Sequence, residues 1–439
     1  MKRIYPTATL RHLAKSRRLG DVVNRLKKPS SLTSGDLRQL LATPGGLERD
    51  FFTEETVAVL LDEFLIQASD HALPNPGLPF GFVRAINFEL TYGCNLACKH
   101  CLQDALRPSG AIPWMNSDSA MRALDDGALL GLTQAGVNFT GGETYLPGSP
   151  IFNLIEHAAG MGTKVRSNTN AWWGNRTRIR IGDRHFESDQ AVVAALKSAG
   201  LSRLALSMDS RYEQYPELLD RVVRVASLCE DSALSYEVVV TDAPDEIADE
   251  AMRRLRKILG REPAHLMLTP METVDIGAAA GDASIPLNSE RLAGQTWETP
   301  CKRKGFYRPV FLHVNPDGGV RSCLYAPAAN VFGNINSERL QEILNKADRN
   351  PVWRLFAEGD IEQFVATRIE PWQHIYREIQ HPCGASAMIA RVAAAIHEHE
   401  AHWGRGVSEL ETAGIHHRIA AEMNLASADS VRKPSCHAN

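Results

Sequence analysis

Ala85-Ile86-Asn87-Phe88-Glu89-Leu90-Thr91 runs straight into Tyr92-Gly93-Cys94-Asn95-Leu96-Ala97-Cys98-Lys99-His100-Cys101. The first part is apolar enough for a buried strand and holds no Gly or Pro. The second is a loop carrying three cysteines in Cys-x3-Cys-x2-Cys spacing. Working outward, short apolar runs return over 137–140, 164–168, 203–208, 236–241 and 265–268. Amphipathic stretches near 117–134, 151–160, 189–198, 215–229 and 243–259 separate them. Strand alternating with helix implies parallel strands joined by helical crossovers. The pattern predicts an α/β fold, a partial (β/α)6 TIM-like barrel. Barrels of this kind keep their chemistry at the C-terminal ends of the strands. The cysteine loop therefore falls on the functional rim.

Three segments are expected: a helical N-terminal segment over 1–80, the barrel over 81–270 and a small C-terminal domain with helices over 271–439. Helices are expected to begin near Ser34 and Thr53, the second running to about Ser69. A Pro- and Gly-rich linker spans 71–81. After the third barrel strand, 177–188 alternates like an inserted hairpin. Past Pro270, 310–314 and 320–324 read as strands around Asn315-Pro316-Asp317-Gly318-Gly319, a hairpin turn. Helices are expected near 338–347 and 385–400.

Composition narrows the function. The 439 residues fit two or three domains at about 150 residues each. Lys+Arg minus Asp+Glu is 48 − 52 = −4, so charge gives no case for nucleic acid or an anionic membrane. The basic start lacks the apolar run of a secretory signal, and no stretch is long and apolar enough to span a bilayer. A cytoplasmic location is expected, where thiols stay reduced and can bind metal. Eight cysteines in so long a chain do not make a disulfide framework.

Cys94, Cys98 and Cys101 can ligate three irons of a 4Fe–4S cube and leave the fourth open. Structural zinc normally takes four ligands, often as paired Cys-x2-Cys units, and no second pair is present. At the end of the next strand stands Thr140-Gly141-Gly142-Glu143. Its glycines remove side chains that keep a ligand off the backbone, and its carboxylate can pair with an ammonium. Alone this is a common turn; one strand after the cysteine triplet it is specific.

Together these motifs resemble the radical S-adenosylmethionine superfamily, over about 190 residues from Phe82. The resemblance implies that the open iron binds the amino and carboxylate groups of S-adenosylmethionine. Reduction then yields methionine and a 5′-deoxyadenosyl radical. It implies that His100 packs on the adenine and that Gly141, Gly142 and Glu143 hold the methionine ammonium. Asn170 lies in Ser167-Asn168-Thr169-Asn170, where relatives often have Thr-Asn-Gly; here Ala171 replaces the glycine. Ser207 and Asp209 match a position that contacts ribose or carboxylate. Loop capping is the plain alternative for each of these polar residues.

Cys301, Gly318-x4-Cys323, Val331-Phe332-Gly333-Asn334-Ile335 and Cys383 resemble the SPASM auxiliary-cluster domain or its shorter twitch form. The closely spaced central cysteines of the full pattern are missing. The resemblance implies one auxiliary 4Fe–4S cluster on Cys301, Cys323 and Cys383, its fourth ligand being Cys436, the substrate or none. Cys229 reads as helix packing, with hydrogen-atom donation to a substrate radical the sharper alternative. Trp172-Trp173 reads either as a substrate wall or as packing. His397, His399 and His402 read as a solvated face.

The expected function is hydrogen abstraction from a small polar substrate of sugar or aminocyclitol type in natural-product biosynthesis. Dehydrogenation, dehydration or epimerisation would follow, by an oxidoreductase or lyase fed by a flavodoxin- or ferredoxin-type donor. The runner-up is a maturase acting on a ribosomally made peptide, disfavoured because 1–80 shows no strand-rich start. A non-catalytic iron–sulfur electron carrier is the third possibility.

Overall fold

The computed structural model describes residues 3–6, 32–33, 66–69, 85–98, 100–101, 113–133, 135–209, 215–241, 245–271, 311–321, 331–347, 349–352, 355, 361–376, 379 and 382–423. In the N-terminal segment the described residues form β1 (Arg3–Pro6), β2 (Leu32–Thr33) and β3 (Ile66–Ser69), an antiparallel sheet ordered β2-β1-β3. This corrects the expected helix running to Ser69. Ile66-Gln67-Ala68-Ser69 alternates apolar with polar and pairs across the sheet with Arg3–Pro6, a partner that local periodicity does not reveal. The expected helix starts at Ser34 and Thr53 and the linker over 71–81 lie outside the described residues.

The barrel alternates as expected. Its elements are β4 (Ala85–Glu89), α1 (Ser117–Leu129), β5 (Gly136–Thr140), α2 (Ile151–Gly160), β6 (Val165–Thr169), α3 (Asp189–Ser198), β9 (Arg203–Asp209), α4 (Glu217–Ser232), β10 (Tyr236–Thr241), α5 (Asp245–Leu259) and β11 (Leu266–Met271). The hairpin β7 (Thr177–Ile181) and β8 (Arg184–Ser188) is inserted after β6. Local chemistry sets the boundaries. Asn116 caps α1 by accepting from the Ser119 amide at 2.9 Å, and Ser188 caps α3 through the Ala191 amide.

All six barrel strands pair in parallel, each beside the next in sequence. β12 (Phe311–Val314), β13 (Gly319–Arg321) and β14 (Val331–Asn334) then extend this sheet past β4, since β12 runs parallel to β4. The C-terminal hairpin is therefore sheet-continuous with the barrel rather than set apart from it. α6 (Leu340–Ala347) follows, and Ile361–Phe364, Val365–Ile369 and Glu370–Tyr376 form a short helical run. α7 (Pro382–Trp403) and α8 (Glu409–Glu422) pack with that run about a separate apolar cluster that includes Met388, Val392 and Ile419. Pro382 opens α7 where its missing N–H costs nothing.

Alternation gives each barrel strand two faces. Ile86, Phe88, Val137, Phe139, Leu204 and Leu206 are buried in the main core. Asn87, Glu89, Asn138, Thr140, Arg166, Asn168, Ser207 and Glu237 point the other way, into the barrel. The inner face is polar.

Among the described residues no helix is long and apolar enough to cross a membrane.

Candidate iron–sulfur site at the barrel rim

Leu90 and Thr91 lead from β4 into the cysteine loop, where Cys94, Cys98 and Cys101 are free thiols, half-buried. The loop is fastened at both ends. The Thr91 hydroxyl accepts from the Gly93 amide at 2.9 Å and donates to the Pro113 carbonyl at 2.8 Å. Farther on, the Ala97 amide donates to the Tyr215 hydroxyl at 3.0 Å, and the Cys101 amide to the Cys98 carbonyl at 3.1 Å. The Leu96 amide also points at Cys94 Sγ, 3.4 Å away. An N–H aimed at sulfur suits a thiolate ligand.

The Gly-Gly-Glu turn after β5 locks onto this loop. The Gly142 amide donates to the Thr91 carbonyl at 2.7 Å, and the Glu143 amide to the Gly93 carbonyl at 2.9 Å. Gly141 holds φ +133°, and a Cβ there would lie 2.4 Å from the Thr91 oxygen. At Gly142 a Cβ would lie 2.0 Å from the Gly93 oxygen. The glycines thus let two loops touch. The sequence suggests them as ligand clearance; the structure gives them this additional duty.

Glu143 is 1% exposed. Its Oε1 accepts from the Tyr145 amide at 3.0 Å and the Thr169 hydroxyl at 2.9 Å, and its Oε2 from the Asn170 amide at 2.8 Å. The carboxylate ties the tip of β5 to the tip of β6. Burial pushes its pKa up to about 7, against the pull of those three donors. Asn170 continues the chain of contacts: its Nδ2 donates to Asn95 Oδ1 at 2.9 Å and lies 3.9 Å from Cys94 Sγ. Asn170 is thus brought to the cysteine loop. Ala171 takes φ +57°, the left-handed conformation that glycine would adopt without strain.

His100 is half-buried between Cys98 and Cys101 in the chain. Ser207 lies on the inner face of β9, and Asp209 ends that strand in register with Thr241 on β10. Cys229 is fully buried in the helical layer, where burial raises its thiol pKa. A core cysteine packed on the outside of the sheet cannot serve a substrate inside the barrel. Trp173 is also core, its ring centroid 6.2 Å from that of Tyr145. Trp172 is half-buried, with the Arg176 guanidinium 5.3 Å from its ring centroid. His399 pairs with Glu411 at 3.2 Å.

Among the described residues no three His, Cys, Asp or Glu side chains converge on a single ion. A cube takes each thiolate on a separate iron. The soft donor set, the single loop and the amide at Cys94 Sγ fit a 4Fe–4S cluster. Cys301, Cys323 and Cys436 lie outside the described residues. Cys383 sits in the first turn of α7.

The hairpin shows what the Gly318 and Gly333-Asn334-Ile335 signature does. Gly318 turns at φ +88°, and a Cβ there would stand 2.5 Å from Asn334 Oδ1. Asn334 and Asn336 both donate through Nδ2 to the Asp317 carbonyl at 2.8 Å, and the Ile335 amide donates to the Gly318 carbonyl. One buried ion pair and one whose arginine is exposed then fasten hairpin to barrel. Arg321 on β13 meets Glu89 on β4 at 2.7 Å, their side chains 7% and 0% exposed. Arg339 and the Leu340 amide hold Asp126 of α1. These pairs link residues more than 200 positions apart and leave no local signal in the sequence.

Residues 306–363 match the SPASM family, described as an iron-sulfur cluster-binding domain. The chain therefore carries a SPASM segment covering β12, β13, β14 and α6. Cys323 lies inside the match; Cys301 and Cys383 flank it. No curated protein matches the chain. Among solved structures it is similar to the FeFe-hydrogenase maturase HydG from Carboxydothermus hydrogenoformans, at 11% identity and TM-score 0.34, covering 96% of this chain and 95% of that one. A triosephosphate isomerase from Bartonella henselae gives 13% identity and TM-score 0.24, covering 53% of this chain and 83% of that one. Scores at this level bear on neither fold nor function.

Proposed function

We propose that the chain is a radical S-adenosylmethionine enzyme whose radical-generating cluster sits on Cys94, Cys98 and Cys101. One observation carries this. The cysteine loop and the Gly141-Gly142-Glu143 turn, 40 residues apart, are joined by two backbone hydrogen bonds at the rim of adjacent parallel strands. When bound, the cluster and S-adenosylmethionine supply a 5′-deoxyadenosyl radical that abstracts a hydrogen atom. The chain's own residues position and shield. Glu143 and Asn170 brace the rim, and the sequence resemblance gives Gly141, Gly142 and Glu143 the ammonium of the cofactor. His100, Ser207 and Asp209 are placed by the same resemblance beside adenine, ribose and carboxylate. A second 4Fe–4S cluster is assigned to the SPASM segment, on Cys301, Cys323 and Cys383. An electron donor of flavodoxin or ferredoxin type completes the system.

The proposed substrate is a small polar metabolite of sugar or aminocyclitol type, processed in natural-product biosynthesis by dehydrogenation, dehydration or epimerisation. Support comes from the polar inner face of the barrel. The peptide-maturase alternative gains from the three-stranded N-terminal sheet, because a strand-rich start was the feature it lacked. Incubation with the neighbouring genes' products separates them: turnover of a short precursor peptide favours the maturase.

Anaerobic reconstitution tests the cluster assignment. About eight irons per chain fits two cubes and about four fits one. The reduced rim cluster is expected to change its paramagnetic resonance signal when S-adenosylmethionine is added. An unchanged signal in a fully loaded protein contradicts the proposal.

A further inference from the structure

One group of inner-face residues has no part in holding the rim. Arg166 on β6 donates through Nε to Glu237 Oε2 on β10 at 2.7 Å. Its Nη1 donates to Asn138 Oδ1 on β5 at 2.9 Å and to Asn168 Oδ1 at 2.7 Å. To reach β10 it passes over β9, which offers only the methyl of Ala205 in register with both Asn168 and Glu237. Both amides thus turn their oxygens to the guanidinium and their Nδ2 groups away from it. Neither Nδ2, nor Arg166 Nη2, donates to any described residue, and none is a buried atom. All three residues are half-buried. Asn87, in register with Asn138, sets its Nδ2 3.4 Å from His313 Nδ1, which leaves Oδ1 as an acceptor.

Two ion pairs lie at this level, and Arg203, on the same face of β9 and in register with Arg166, sets its Nη1 3.5 Å from Met267 Sδ. Arg166 faces Glu237, Arg321 faces Glu89, and burial lowers the pKa of His313 to about 3, so the ring is neutral at pH 7. What Asn138, Asn168, Arg166 and Asn87 offer is a row of N–H donors beside one amide acceptor. An ammonium would find a single acceptor among these donors. A hydroxyl both accepts and donates, and matches the row.

We infer that Asn138, Asn168 and the open edge of Arg166, with Asn87, form a subsite inside the barrel for vicinal hydroxyl groups of the substrate. The inference rests on the proposed function for the location of the substrate, and it adds the class of group recognised and the residues that recognise it. Glu237 acts as a positioning residue, holding Arg166 so that Nη1 fixes both amides.

Saturation-transfer NMR on the reconstituted full-length protein tests it, with myo-inositol, succinate and ethanolamine as probes. Myo-inositol is expected to bind, and the two ions are not. Asn138→Asp keeps the shape and the acceptor for Arg166 but loses both N–H donors. It is expected to weaken myo-inositol binding roughly fivefold or more with thermal melting unchanged. Asn168→Asp, read in the same way, serves if the first variant is unstable. Binding of succinate or ethanolamine in preference to myo-inositol overturns the subsite, as does equal myo-inositol binding by a folded variant. The two proposals separate cleanly. A protein that binds myo-inositol and makes no 5′-deoxyadenosine keeps the subsite and loses the radical chemistry; the reverse result removes the subsite alone.

Discussion

The rim loops and the SPASM hairpin both join the barrel beside β4, and the contacts that add to their strand pairing differ in kind. At the rim, backbone meets backbone: Gly142 and Glu143 amides reach Thr91 and Gly93 carbonyls, and two glycines make room. At the hairpin, long charged side chains reach across: Arg321 to Glu89 and Arg339 to Asp126. Backbone contacts tolerate no added atom, whereas ion pairs tolerate replacement by matched apolar residues but not the loss of one partner. The first attachment is written in a short motif. The second is written in scattered residues.

Gly142→Ala is expected to have the largest effect. A methyl 2.0 Å from the Gly93 oxygen forces the loops apart, at an expected cost of about 3 kcal/mol or more. Iron counting on the reconstituted variant checks it: about four irons should be lost and about four retained. Retention of all the iron would show that the two loops need not touch.

Next comes the hairpin. Glu89→Gln leaves Arg321 buried without its counter-charge and is expected to destabilise by about 3–5 kcal/mol. Glu89→Gln combined with Arg321→Met removes both charges and is expected to recover most of that loss in a denaturant melt. No recovery would mean that the pair is not the fastening.

The two regions also titrate in opposite senses. Glu143 has its folded pKa raised to about 7, above its unfolded value, so the folded state holds the extra proton and stability falls as pH rises from about 4.5 to 7. His313 has its folded pKa lowered to about 3, so the unfolded state holds the extra proton and stability rises over about pH 3 to 6.5. Thermal melts of Glu143→Gln should lose the first slope, and those of His313→Gln the second. Parallel curves for either variant and the parent would sever the link.

The smallest effect is at Ala171. Its φ of +57° carries strain that glycine lacks, so Ala171→Gly is expected to stabilise by about 0.5–1 kcal/mol, strain relief being partly offset by chain entropy. A lower melting temperature would contradict this.

The contrast also explains what could be read from the sequence. Cys94, Cys98 and Cys101, the Gly-Gly-Glu turn and the Asn315–Gly319 turn are local, so spacing alone placed them. The strand-and-helix alternation of the barrel was equally local. Glu89–Arg321 and Asp126–Arg339 depend on pairing across more than 200 residues and were invisible. Arg166 and its amides sit on strands β5 and β6 as polar residues among apolar ones. That alternation is the signal for an inner polar face. The N-terminal strands were missed for the same reason as the ion pairs, since Ile66–Ser69 finds its partner at Arg3–Pro6.

The central claim is that the rim cysteines hold a cluster that cleaves S-adenosylmethionine. It is tested most directly by reducing the reconstituted protein with dithionite in the presence of S-adenosylmethionine and measuring 5′-deoxyadenosine by mass. The parent chain is predicted to form it, and Cys98→Ser is predicted to form none. No product from a parent chain carrying its full iron, or equal product from Cys98→Ser, would contradict the account.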